Sequence, residues 1–296
     1  MAHWIVFSLL GLVEGLTEFV PISSSGHLIV AHELLGATGP DALAVDAVLQ
    51  FGAVLAVIVY FFKDLVSLAY ALLCTVTGKP VKPEEQRLLW ALIVGTIPAV
   101  VLGLLLEKSM ETIFRNTHLV AYALITGSLI MLGAEVAPRL LLGVRDFFAK
   151  KSLSPQSADL RSPLEESSLA PLSISKGFGI GLFQALALVP GMSRSGMTIA
   201  GGLFLGLSRE QAARFGFLLS IPIILGSGAK KTLDLVHTGA LSGLEIPLLL
   251  GTIAAFASGL TVIHWLLKFL RTRPLYVFIA YRVALAAVIL AAIPAL

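Results

Sequence analysis

The stretch EGLTEFVPISSSGH, Glu14 to His27, interrupts an apolar run that extends from about residue 4 to 35. Up to Val20 it continues a helical pattern; then Pro21, three serines and Gly26 break it. A second apolar run, 174 to 206, breaks in the same way at PGMSRSGMT, Pro190 to Thr198. Non-helical backbone at membrane depth survives only where protein or a watery cavity satisfies its N–H and C=O groups. Each run therefore predicts a re-entrant helical hairpin whose turn faces a polar cavity.

The surrounding sequence supplies the membrane. Of 296 residues, 57% are hydrophobic and 13% charged, about half of the roughly 25% usual in soluble domains, and the mean hydropathy is +0.92. That excludes an ordinary soluble enzyme. Six further stretches are apolar enough for spanning helices, which need about 20 residues: 43 to 62, 88 to 106, 119 to 137, 210 to 229, 246 to 267 and 275 to 295. The expected fold is an all-α polytopic membrane protein of six transmembrane helices plus two re-entrant hairpins. A net charge of +3, with no basic run interleaved with aromatics, argues against nucleic acid as a partner. The single cysteine, Cys74, has no partner for a disulfide or a zinc site and reads as an apolar filler. Met1 to Val13 lacks a basic start and runs into Glu14, so it is not read as a cleavable signal.

Lysine and arginine counts orient the chain. Four lie in 63 to 87, five in 138 to 173 and three in 268 to 274, against Lys108, Arg115, Lys230 and Lys231 in the opposite connections. This predicts both termini on the outer face and a cytoplasmic linker over 138 to 173. A shift of 170 residues pairs Gly11, Leu12, Leu16, Ser23, Ser25 and Gly26 with Gly181, Leu182, Leu186, Ser193, Ser195 and Gly196. Further along, Asp46 and Gln50-Phe51-Gly52 match Glu210 and Arg214-Phe215-Gly216, and Ile97-Pro98 matches Ile221-Pro222. The chain thus divides into a first repeat, 1 to 137, and a second, 174 to 296, each a hairpin followed by three spans. An odd number of spans inverts the second repeat, so the two turns should meet near the midplane.

The chemistry sits in those turns. Glu14 and Glu18 are four apart and project from one helix face. Intramembrane carboxylates are costly and mark function, and two of them with phosphate oxygens suit Mg²⁺ or Ca²⁺; an ion relay or a satisfied structural pair are the other readings. Ser23, Ser24 and Ser25 offer hydroxyls and His27 an imidazole. Arg194, flanked by Ser193, Ser195 and Thr198, requires an anion, and its planar fork suits phosphate or carboxylate. An internal ion pair with Glu14 or Glu18 is the bland alternative. Asp46, Gln50, Gln184 and Arg214 read as polar contacts behind the site, with Arg282 a weaker candidate, while His3, His32, His118, His237 and His264 read as interfacial or structural. Together the two turns match a phosphoryl-transfer constellation. No GxxxxGK[ST] loop occurs. The phosphatidic-acid phosphatase type 2 pattern also fails, because the histidine it needs six residues after the arginine is Ala200 here.

EGLTEFVPISSSGH together with PGMSRSGMT closely resembles the undecaprenyl-diphosphate phosphatase family, the bacterial bacitracin-resistance proteins. The likeness covers nearly the whole chain, including Gln50-Phe51-Gly52, Ile97-Pro98 and Tyr281-Arg282, and fades between 139 and 173. It implies hydrolysis of undecaprenyl diphosphate to undecaprenyl phosphate and inorganic phosphate, which recycles the carrier lipid for peptidoglycan. It further implies a divalent-cation requirement, a polyprenyl diphosphate held among membrane lipids, and a place in the bacterial inner membrane with the active site opening outward. By position, Glu14 and Glu18 match the family's acid pair, Ser24 and His27 its serine and histidine near phosphorus, and Ser193, Arg194, Ser195 and Thr198 its phosphate-binding turn. The attacking group stays open between Ser24, His27 and water, with Ser24 favoured. A homodimer is compatible with this reading. The rival class is a polyprenyl-phosphate transporter or flippase, since inverted repeats with broken helices are a transporter architecture; a carrier, however, needs no nucleophile beside its acids.

Overall fold

A computed structural model describes residues 3–37, 42–112, 116–149, 172–237 and 243–292. These residues form eleven helices and no strand: α1 (His3–Glu18), α2 (Ser24–Leu35), α3 (Ala42–Tyr60), α4 (Phe62–Val76), α5 (Pro83–Thr112), α6 (Thr117–Ala149), α7 (Ile174–Leu186), α8 (Arg194–Phe204), α9 (Arg209–His237), α10 (Glu245–Thr272) and α11 (Tyr276–Ala292). Four contain segments long and apolar enough to cross a bilayer: Pro83–Leu106, Thr117–Ala137, Arg209–Leu233 and Glu245–Thr272. Large apolar side chains stand exposed on them, Leu104 at 70%, Leu105 at 74% and Ile246 at 69%. Exposed apolar surface on that scale is lipid-facing. The chain is a polytopic all-α membrane protein.

The span count differs from six in two places. Helix α3 ends at a 78° bend, beyond which Phe62–Val76 continues as a second apolar helix where a connection was expected. Lys63, Lys79, Lys82 and Arg87 mark that region as a charged loop when counted together. Only Lys63, with Asp64, lies within α4; the other three follow it. At the bend Phe61 leaves the helical angles (φ −99°, ψ 22°) and buries its ring against Phe217. At the other end of the chain, α11 is an apolar helix of 17 residues, slightly short of a full span. Helix α6 runs on to Ala149, into the stretch expected to be linker. Residues 150–171 of that linker, Arg115 and the side chains of Lys108, Arg139 and Arg145 lie outside the described residues.

Two helix pairs stand where the hairpins were expected, α1–α2 and α7–α8, and they are built alike. Ser23 (φ 75°) and Ser193 (φ 72°) are the two non-glycine residues with positive φ among those described. They are related by the 170-residue shift. Each immediately precedes the second helix of its hairpin, and in each turn two serine hydroxyls pair, Ser23 with Ser25 at 3.0 Å and Ser193 with Ser195 at 3.1 Å. The first helix of each hairpin lies along a span of the other half, α1 on α10 and α7 on α5. These contacts depend on glycine. A Cβ at Gly11 would collide with the carbonyl oxygen of Gly251, and one at Gly181 with that of Gly95, so backbone touches backbone in both crossings. The Gln50-Phe51-Gly52 and Ile97-Pro98 matches do not share one register. Their first-half members lie on α3 and α5, their second-half members together on α9.

The start of α9 gathers one end of the bundle. Arg209 makes two 2.6 Å hydrogen bonds to Glu135 of α6, Glu210 accepts two from Arg271 of α10 at 2.8 and 2.9 Å, and Arg214 approaches Asp64 of α4 at 3.4 Å. The connections 63 to 87 and 268 to 274, which the charge count placed on one side, thus converge through Asp64 and Arg271, beside Glu135 in the expected span 119 to 137. Gly11→Val and Gly181→Val should each destabilise the fold by about 1–3 kcal/mol through overpacking. Thermal unfolding in detergent would show this as a lowered midpoint for both variants, whereas an unchanged midpoint would deny the close crossings.

Candidate active site at the meeting of the hairpin turns

Two hydrogen bonds join the turns directly. The Ser195 hydroxyl donates to the carbonyl of Val20 at 3.1 Å, and the Gly191 N–H donates to Ser25 Oγ at 3.2 Å. Gly191 is held from its other side as well. Arg282, fully buried on α11, donates to its carbonyl at 3.0 Å, to Leu124 O at 3.1 Å and to Ser128 Oγ at 3.1 Å. A residue read as a weak candidate is therefore a principal support of the second turn.

Across this junction the chemical groups assemble. Ser24, first residue of α2, donates its hydroxyl to Glu18 Oε2 at 2.6 Å. The other oxygen of Glu18 lies 3.5 Å from Arg194 Nη1, the first residue of α8. Glu18 and Arg194 line a small cavity with Phe19, Ser195, Gly216, Phe217 and Ser220. Phe217 stacks edge-on against Phe19 at 5.3 Å, forming an apolar wall. The start of each second helix presents backbone N–H groups at the same junction, which favours an anion there.

Two parts of this cluster are unsatisfied. Both oxygens of Glu14, fully buried, lack a hydrogen bond of good geometry, as does the buried Nη1 of Arg194, whose approach to Glu18 is an ion pair only. Gln50 is the side chain within hydrogen-bonding reach of Glu14, while Glu18, Asp46 and Arg194 act on it by charge. Buried polar atoms are almost always paired, so orphans call for an account. Here a buried carboxylate and a buried guanidinium, each with a polar atom short of a partner, act on one another by charge.

The remaining expected residues fall into place around it. The hydroxyls of Ser193, Ser195 and Thr198 are engaged within the protein: Ser193 caps Gly196 N at 3.1 Å, Ser195 reaches Val20, and Thr198 turns back on Arg194 O at 3.0 Å. Ser23 and Ser25 likewise bind each other and the opposite turn. These five hydroxyls build the turns. His27 is not joined to Ser24; its Nδ1 lies 2.7 Å from Ser23 O and its Nε2 2.7 Å from the Tyr281 hydroxyl. Asp46 pairs with buried His32 at 2.8 Å, a structural histidine as expected. Arg214 faces Asp64 and the Phe61 ring, away from the pair formed by Glu18 and Arg194. The amide of Gln184 is buried without a partner, at the position that the shift equates with Glu14. Ser220 and Phe217 were not anticipated, because one hydroxyl and one ring inside a long apolar span give no periodic or compositional signal.

The fold and this junction define a class: a polytopic helical membrane protein in which two helical hairpins bring an acid, a serine and an arginine together at their turns. The profile of the family described as Bacitracin resistance protein BacA matches residues 7–288. The chain is 44% identical over 282 residues to an undecaprenyl-diphosphatase of Myxococcus xanthus, covering 95% of this chain and 86% of that protein. It is 42% identical to one of Trichlorobacter lovleyi (94% and 92% covered) and 39% identical to one of Chloroherpeton thalassium (95% and 94% covered). This chain belongs to the bacitracin resistance protein BacA family.

Replacing Arg282 by Met should leave Gly191 O short of a donor, while Leu124 O keeps the Ser128 hydroxyl at 2.7 Å, and cost about 1–3 kcal/mol for a buried orphan. Hydrogen exchange at Gly191 and Met192 should quicken in that variant; exchange as slow as in the unaltered chain would remove Arg282 from its supporting role.

Proposed function

We propose that this chain hydrolyses undecaprenyl diphosphate to undecaprenyl phosphate and inorganic phosphate, returning carrier lipid to cell-wall synthesis and thereby conferring bacitracin resistance. The carrying observation is the pair of unmet demands at the hairpin junction, Glu14 and Arg194, which a metal-bound diphosphate would satisfy together. The names of the relatives point the same way, and they do not favour the transporter alternative.

The geometry gives the residues distinct tasks. Ser24 Oγ, bonded to Glu18 Oε2, is the nucleophile with its base already in contact. Glu18 takes the hydroxyl proton as Oγ bonds to the terminal phosphorus. The bridging P–O bond breaks and undecaprenyl phosphate leaves. Undecaprenyl phosphate carries off the proton that Glu18 took, so the freed carboxylate takes a proton from water as it attacks the phosphoserine and passes it to Ser24 Oγ as the P–Oγ bond breaks and phosphate is released. Arg194 and the N–H groups that open α2 and α8 hold the charge that spreads over the phosphoryl oxygens.

Glu14 and Glu18 fit a divalent cation, Mg²⁺ or Ca²⁺, because the orphaned oxygens of Glu14 stand ready as hard ligands. Among the described residues no three His, Cys, Asp or Glu side chains converge on one point, so the remaining ligands would be phosphate and water oxygens. Bound there, the cation supplies charge neutralisation for the diphosphate.

The polyprenyl tail stays among lipids while only its polar head enters the cavity. Positive charge around the start of α4 and the end of α10 supports that end as cytoplasmic and, with it, the reading of an inner-membrane protein whose termini and site open outward. Every group named comes from one chain, so a homodimer is not required for the chemistry.

Detergent-purified protein should release phosphate from undecaprenyl diphosphate when Mg²⁺ or Ca²⁺ is present and stop when chelator is added. Glu18→Gln and Arg194→Ala should each lower kcat by about 100-fold or more, the scale of removing one charge-stabilising group. Ser24→Ala should lose the phospho-enzyme that acid quench traps in the unaltered protein. Release at ordinary rates from all three folded variants would refute this site.

A further inference from the structure

His27 is one turn beyond Ser24 on the same face of α2, yet it makes no bond to Ser24 or Glu18. Its partner comes from the far end of the chain. The Tyr281 hydroxyl lies 2.7 Å from Nε2, and the two rings are parallel within 2° at 5.5 Å between centroids. The imidazole is fixed on its other edge too, since Nδ1 is 2.7 Å from the carbonyl of Ser23, the residue with φ 75°. A carbonyl can only accept, so Nδ1 carries a proton. In the neutral ring Nε2 is then the acceptor and Tyr281 the donor.

We infer that Tyr281 is a positioning residue for the reaction, clamping His27 by stacking and an O–H to Nε2 hydrogen bond so that the imidazole stays in one orientation beside Ser24. This rests on the phosphatase reading of the same site.

The placement of Tyr281 supports a task beyond packing. Its side chain is 47% exposed and contributes little to the core, whereas the next residue, Arg282, is fully buried. One step of α11 therefore reaches both hairpins, Tyr281 holding His27 of the first and Arg282 holding Gly191 of the second. Helix α11 is anchored for this by Ala286 and Ile289, which pack with Val120, Ala121 and Leu124 of α6 and with Ile29 and Val30 of α2. The clamp keeps the Nε2 lone pair directed at a hydroxyl that is itself accessible. With both ring nitrogens engaged, the imidazole is held in a single orientation one turn beyond Ser24.

Tyr281→Phe keeps the stacked ring and deletes the hydrogen bond. In protein labelled with ¹⁵N-histidine, with the His27 signals assigned by their loss in His27→Gln, Tyr281→Phe should move the Nε2 resonance and leave Nδ1 in place. With undecaprenyl diphosphate as substrate it should lower kcat about 3- to 10-fold, the scale of one hydrogen bond, with KM changed less than about 2-fold. In the His27→Gln background the same change should cost nothing further, because the group through which it acts is gone. Tyr281→Leu, which also deletes the stacking, should lose more than Tyr281→Phe. An unmoved Nε2 resonance would overturn the clamp, and so would an equal loss in the His27→Gln background. If the unaltered protein releases no phosphate, the phosphatase reading fails while the resonance still decides whether the pair exists.

Discussion

Backbone that leaves the helix inside a membrane must find its hydrogen bonds within the protein, and the rest of this structure follows from how two turns meet that demand. Each turn supplies what the other lacks. The Gly191 N–H takes Ser25 Oγ, the Ser195 hydroxyl takes the Val20 carbonyl, and Arg282 closes the account at the Gly191 carbonyl. The strained serines at 23 and 193 hold the chain where these bonds can form. Since α2 and α8 begin at the turns, the same contacts bring Ser24 and Arg194 to opposite sides of Glu18.

Charge inside the bundle is treated in two ways. Glu135 with Arg209, and Glu210 with Arg271, are closed pairs in which each carboxylate receives two short hydrogen bonds. Such bidentate pairs join helices and leave nothing for a ligand. At the hairpin junction the pairing is open: Glu14 has no hydrogen bond of good geometry, and Arg194 meets Glu18 only at 3.5 Å. Burying open charge is expensive. The protein carries that cost at the hairpin junction, which is why that junction and not the ion-pair end reads as functional.

Much of this was legible in the residues. Proline, glycine and serine clusters inside apolar runs announced both hairpins, the spacing of Glu14 and Glu18 announced a shared face, and the 170-residue shift put Ser23 and Ser193 in equivalent places before their matching angles were seen. What escaped was tertiary. Helix α4 hid behind lysines and an arginine that mostly follow it. The Tyr281 clamp joins residues 254 positions apart. Nor could periodicity say that Ser193, Ser195 and Thr198 spend their hydroxyls on the turn, since a serine near an arginine looks the same in sequence whether it binds backbone or phosphate.

The central claim is that Glu18 from one hairpin and Arg194 from the other act as a unit on one phosphoryl group. Phosphate release measured for Glu18→Gln, Arg194→Gln and the double variant tests it most directly. The account predicts strong non-additivity, with the double variant little slower than the slower single one, because either change dismantles the same assembly. Losses that multiply in full, as for independent sites, would contradict it.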